Sequence, residues 1–328
     1  MEKTNKLYFP GLDALKWILA VRTIAVHTPL FSEWPSFHDI FFQIFGFGVP
    51  TFLAISAFLF IRKIDNLEES KMNGYIVYRE KRLLIFYVIW WLLMLPMTFD
   101  VFFSIATIKE IIFAALFKST FNGYWFIKAL IINTFILYLF RKRMLLIIIS
   151  VVSIFVYLYC ALAYEHLYES PIIKYSPYYS FYYHLAFFAI GGLLARYGKN
   201  SFLFTVSIKW LVLLLILLLP LSLIPYCSSI VILLYPVILI PIFARITIKN
   251  KDLCKEMRIM SILYYTTHFM IIWLYGKFEN NFVSEESTLY SLLSFSSVRF
   301  FSTLFLATLF SLLIIRLEKK YPILNYLH

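Results

Sequence analysis

The chain has 328 residues, 62% hydrophobic and only 15% charged, with a mean hydropathy of +0.80. Ordinary soluble domains run at about 45–50% apolar and ~25% charged, so this composition excludes a water-soluble globule and points to a polytopic membrane protein surrounded by lipids. The net charge of +12 would suit nucleic acid, but the basic residues fall between apolar segments instead of in one patch, so no nucleic-acid partner is expected.

Stretches of about 20 apolar residues suit helical spans. Ten are expected, at roughly 12–32, 40–61, 83–98, 123–140, 144–163, 181–197, 207–225, 229–247, 259–275 and 298–316. The runs are continuously apolar, and an open sheet cannot satisfy its edges in lipid, so strands are not expected. The expected fold class is all-α: a polytopic membrane helix bundle of about ten transmembrane helices, one domain over 1–328 with no separate soluble part. The leading MEKTNKLYFP has no small-residue cleavage site after it, so no removable signal peptide is expected. Cys160, Cys227 and Cys254 have neither metal-type spacing nor a disulfide framework, and no metal is expected.

Charge sets the topology. With the N-terminus cytoplasmic, Lys109, Lys118, Lys128, Lys174, Lys277 and Arg299 fall on or near the outer side, and Lys16 and Arg22 within the first span. The remaining 22 of the 30 Lys and Arg fall inside, as the positive-inside rule requires. Ten spans with both termini cytoplasmic follow; eight or nine would strand one basic cluster outside.

The first span, within GLDALKWILAVRTIAVHTPLF, carries Lys16 and His27 eleven residues apart. That is about three helical turns, so both point the same way, about 16 Å apart along the axis. Asp13 and Thr23 join that face, whereas Arg22 lies about 140° from His27 at ~100° per residue and takes a packing role. Ionisable groups inside a membrane are costly and mark a site or a pathway. His27 is expected ~22 Å into the span, past the midplane of a ~30 Å core. There it is either hydrogen-bonded within the bundle or, as a neutral imidazole, a general base.

The second span holds GVPTFLAISAFLF, whose small residues allow close helix approach; Ser56 either packs or donates into a cavity. Next comes YREKRLL, where Arg79 and Arg82 share a helix face: an inside anchor, or a pair able to grip phosphates. The outer 99–122 stretch includes IKEIIFAALF, suited to an interfacial helix. In GYWFIKALI, Trp125 marks the outer boundary, with Lys128 and Asn133 deeper. Tyr164, Tyr168, Tyr175, Tyr178 and Tyr179 crowd the 164–180 loop, as an aromatic belt or a stacking platform for a sugar. The ninth span, SILYYTTHFMIIW, brings His268.

Together these segments resemble the membrane acyltransferase 3 family, the integral-membrane O-acyltransferases that modify bacterial surface glycans and some antibiotics or lipids. Lys16 and His27 match the family's basic residue, ten residues, then catalytic His. GLDALKWIL is similar to its LDxLRxxA, TFLAISAFL to its FFxxSGFL, and Arg79 and Arg82 match its RxxR. Gly123 to Ile127 resemble its aromatic LWFL element, Phe187 to Arg196 its FxxGxLLA helix, and Tyr265 and His268 its late YxxH. Ala57 stands where the family has glycine after the serine, which narrows that gap by one methyl.

The resemblance implies a multi-pass protein of the bacterial inner membrane. It implies an acyl-CoA donor, most often acetyl-CoA, entering from the cytoplasm, and a glycan or lipid-linked sugar hydroxyl as acceptor, hence O-acetylation and polysaccharide modification. His27, Lys16 and Asp13 become the catalytic group: His27 the base, Lys16 the cation that positions the donor or meets developing charge, Asp13 the partner of Lys16. Arg79, Arg82, Ser56 and Trp125 become donor contacts; Tyr265 and His268, acceptor contacts. The rival reading is a glycan or lipid transporter or flippase, which buried charges also suit, although no two halves are related in hydropathy.

Overall fold

The computed structural model describes residues 8–103, 125–162, 180–198, 201–224, 227–284 and 286–328. Among the described residues there is no strand, and every one of the ten apolar segments carries a helix. The 99–122 stretch from residue 104 onward, Gly123, Tyr124 and the tyrosines of the 164–180 loop lie outside the described residues.

Helix α1 (Pro10–His27) starts on a proline, whose missing N–H costs nothing at a helix start. It stops at His27, five residues short of the expected 12–32. Thr28 precedes Pro29, and a residue before proline is pushed out of the α region. Thr28 caps the turn by sending its N–H and its Oγ1 hydroxyl to the Ile24 carbonyl, each at 2.9 Å. The expected 40–61 span is also divided: α2 (Pro35–Ile44) and α3 (Gly48–Ile64) flank a break at Phe45 to Phe47. Arg22 lies against Gly48 at the start of α3; a Cβ there would meet Arg22 Nη1 at 2.8 Å.

Helix α4 (Glu69–Phe103) starts fourteen residues before the expected 83–98, so Arg79 and Arg82 ride on a continuous helix. Next come α5 (Trp125–Leu139), α6 (Arg143–Leu162), α7 (Phe181–Tyr197), the short α8 (Phe202–Thr205), α9 (Ile208–Ser222) and α10 (Cys227–Ala244). Helix α11 (Lys251–Phe282) starts eight residues before the expected 259–275, with Asn250 capping the Leu253 N–H at 3.0 Å. Helices α12 (Thr288–Ser294) and α13 (Ser296–Leu317) and a 3₁₀ turn (Pro322–Leu327) complete the chain.

Two pairings build the core. Helix α3 packs along α7 so closely that a Cβ on Gly191 would collide with the Ala54 carbonyl oxygen. Helix α1 packs along α11 in the same direction, which brings Asp13 to Arg258 at one end and His27 to His268 at the other.

The outer faces are greasier than the inner ones. Helix α13 exposes Phe301, Phe305, Leu309 and Leu313 at four-residue spacing and buries Thr303, Ala307 and Ser311. Helix α6 exposes Ile148, Val152, Phe155 and Tyr159 and buries Ser150 and Ser153. Small and polar residues inside with large apolar ones outside is the pattern of helices packed in lipid, where burial of apolar surface between helices gains little. By length and composition, five helical stretches among the described residues can cross a membrane: 35–64, α6, α10, α11 and α13. Helices α5 and α9 are apolar but shorter.

Candidate active site

At the end of the bundle rich in Lys and Arg, a cavity of about 530 Å³ opens between α1, α3, α4, α5 and α11. Its polar wall carries Lys16, Arg79, Arg82, Lys255 and Arg258, and no Asp or Glu lines it among the described residues. Its apolar wall is built by Phe52, Phe86, Phe126, Ile127, Leu130, Ile259 and Ile262. A cavity with many cations and a greasy depth suits an anionic head joined to an uncharged arm.

Each cation is held differently. Asp13, 4% exposed, accepts from Arg258 Nη2 at 2.8 Å and from Nε at 3.1 and 3.2 Å, and lies 3.1 Å from Lys16 Nζ. One carboxylate thus aims two cations from two helices. Arg79 lays its guanidinium over the Phe60 ring at 4.4 Å, and its buried Nη1 has no partner among the described residues. Arg82 donates through Nη2 to the carbonyls of His328 at 2.9 Å and Asn325 at 3.4 Å. Lys255 reaches Glu318 at 3.3 Å, which also accepts from His328 at 2.7 Å.

Glu80 follows Arg79 with both carboxyl oxygens buried and unpartnered among the described residues. It precedes the apolar run of α4. Burial pushes its carboxyl up from 4.5 to about 7, against the opposing pull of Arg79. The same burial lowers the Arg79 guanidinium.

The histidines meet at the opposite end of α1. The His27 ring stacks on His268, centroids 5.1 Å apart and planes 29° apart. Phe269 packs against both, at 4.4 and 4.2 Å. His268 is fully buried, and its Nδ1 lies 2.9 Å from the Tyr264 carbonyl. A carbonyl only accepts, so Nδ1 carries the proton and Nε2 presents a lone pair. That Nε2 is buried and has no partner among the described residues. His27, the last residue of α1, is exposed on its free side. His27 thus closes α1, just before the stop at Thr28-Pro29.

The turn after His27 is fixed to α13. Phe31 sits at φ 70, in the left-handed region that a bulky residue enters only under constraint. Its N–H donates to Ser296 Oγ at 2.9 Å, and Ser296 donates from its own N–H and hydroxyl to the Glu33 carboxylate.

Tyr265 joins the two ends. It lines the cavity, packs against Phe126 at 4.5 Å, and stands 6.0 Å from the His268 ring. Ser56 also lines the cavity, but its hydroxyl donates to the Phe52 carbonyl at 3.0 Å instead of into the space. Trp125 does not reach the cavity: its ring stacks on His184 at 4.6 Å, and the neighbouring Phe126, rotated by about 100°, takes the wall. Thr23 donates to the Leu19 carbonyl at 2.9 Å within its own helix.

Sequence reasoning missed Arg258 and Lys255, which read as ordinary inside anchors. The usable signal was helical spacing: Arg258, Ile262 and Tyr265 fall at i, i+4 and i+7, one face pointing at the cavity.

A family model described as Acyltransferase domain, of the acyltransferase 3 type, matches residues 9–317. No curated protein and no solved structure matches the chain. With that match running from the residue before α1 to the end of α13, this multi-pass membrane chain belongs to the acyltransferase 3 family.

Proposed function

We propose that the protein transfers an acyl group, acetyl in the first instance, from cytoplasmic acyl-CoA to a hydroxyl of a surface or lipid-linked glycan at a bacterial inner membrane. The observation that carries this reading is the cavity itself: five cations around one mouth, an apolar depth, and Tyr265 leading from it to the paired histidines.

The basic end faces the cytoplasm by the positive-inside rule, with ten spans and both termini inside. Arg79, Arg82 and Arg258 take the donor's phosphates, and guanidinium forks suit them. The pantetheine arm lies along Phe52, Phe126 and Ile262 toward Tyr265. The acceptor hydroxyl meets His27 from its exposed side. His27 takes the hydroxyl proton as the oxygen attacks the thioester carbonyl. The carbon–sulfur bond breaks, and the thiolate takes the proton back to leave as free CoA. His268, stacked behind His27, holds that ring in place where the acceptor arrives. Lys16 sits about three turns from His27, too far to meet charge on the reacting carbon, so Asp13 and Lys16 serve donor placement.

The test is turnover by purified protein in nanodiscs with acetyl-CoA labelled on the acetyl group, following free CoA. CoA release that falls at least ~100-fold in His27→Ala, the low end of what a general base contributes, supports the assignment. Weakened donor affinity in Arg79→Ala/Arg82→Ala supports the phosphate role. A folded His27→Ala protein that releases CoA at the wild-type rate overturns the first, and unchanged donor affinity the second. Glycan flux into vesicles without any acyl donor would point to a transporter instead.

A further inference from the structure

Beside the donor cavity lies a second one of about 650 Å³, between α4 and the C-terminal 3₁₀ turn. The two share Tyr78 and Arg82 as common walls. The second adds Lys81, Tyr326, Ile85 and Ile323, and no carboxylate lines it among the described residues. Its far wall is anchored: Arg82 holds the Asn325 and His328 carbonyls, the Trp90 indole N–H donates to the Leu327 carbonyl at 3.2 Å, and Glu318 holds His328.

We propose that this second cavity is the seat of the donor's nucleotide end, with Tyr78 and Tyr326 flanking the adenine and Lys81 and Arg82 holding the ribose 3′-phosphate. The proposal rests on the acyl-CoA reading above and extends it to residues outside the first cavity.

Three features point the same way. An acyl-CoA carries its charge in two places, a pyrophosphate at the head of the pantetheine arm and a phosphate on the ribose beyond it. The cations are divided likewise, with Lys16, Arg79, Lys255 and Arg258 around the first cavity, Lys81 on the second, and Arg82 between them. Two tyrosines exposed beside a basic pair form a stacking platform, because every base has a π-face. Arg82 uses Nη2 on the turn, and a guanidinium has further donors to offer a phosphate.

The test uses the full chain in nanodiscs, titrated with CoA and with dephospho-CoA, which lacks only the 3′-phosphate. Wild-type protein is expected to bind CoA more tightly. Lys81→Ala is expected to shrink that preference about tenfold, the scale of one charged hydrogen bond. Tyr326→Ala is expected to weaken both ligands about tenfold by loss of stacking, with Tyr326→Phe restoring both. Wild-type affinity in Tyr326→Ala, together with an undiminished preference for CoA in Lys81→Ala, overturns the proposal while the donor reading stands. A wild-type protein that binds neither ligand overturns the donor reading, and this proposal with it.

Discussion

Asp13 is the residue on which the basic cavity turns. Its carboxylate serves Lys16 on its own helix and Arg258 on a neighbour, so removing it leaves two cations facing each other across the cavity wall. Asp13→Ala is expected to cost about 2–3 kcal/mol, less than the ~3–5 kcal/mol for a fully buried pair because Arg258 is partly exposed. A drop in melting temperature together with weaker donor binding checks it; Asp13→Asn, which keeps the shape and loses the charge, should fall close to it. At the other end, His268→Ala is expected to slow turnover roughly 100-fold while leaving CoA affinity intact, since His268 stacks on His27 and does not line the basic cavity. Equal loss of affinity and rate would place His268 in the packing instead. Lys16, His27 and His268 were legible because a charge or an imidazole in an apolar run stands out. The pairing of Asp13 with Arg258 was not, because it joins residues 245 positions apart, and nothing in either local pattern says which helices become neighbours.

Elements obey local chemistry at their ends and tertiary contacts in their middles. The stop of α1 was written in Thr28-Pro29, and the break before α3 in Gly46 and Gly48, although hydropathy alone ran through both. The extensions of α4 and α11 were hidden because their added turns are polar and mixed, and hydropathy reports apolar length, not helix length. Two glycines separate packing from propensity. Gly191→Ala drives a methyl into the Ala54 carbonyl and should cost roughly 3 kcal/mol, the upper range for overpacking. Gly74→Ala, on α4 with nothing within 4 Å, should gain about 0.5–1 kcal/mol. Thermal unfolding of the two variants side by side checks the contrast; equal shifts would mean that α3 and α7 are not so tightly joined.

For the whole molecule, pH acts through Glu80. Its carboxyl is held protonated up to about 7 against an ordinary 4.5, so the folded chain binds an extra proton between those values. That contribution to stability is complete below 4.5 and is lost as pH rises toward and through 7. Donor affinity should follow the same direction: below 7 Arg79 faces a neutral neighbour and is free for an anion, and above 7 a carboxylate competes for it. CoA titrations from pH 6 to 8 should show weakening with rising pH, and Glu80→Gln should flatten the curve; an equally steep curve in that variant would assign the dependence elsewhere. On the proposed mechanism, because Lys16 and His27 ride on one unbroken helix, α1 also acts as a ruler between the grip and the bond to be cut. One extra turn between them would lengthen that ruler by ~5.4 Å while keeping both side chains on the same face, whereas a single inserted residue would swing His27 about 100° off its stack. The first change should ask for a longer thioester arm, the second should silence the enzyme with its donor still bound, and the spacing of eleven is then a dimension of the substrate inscribed in the chain.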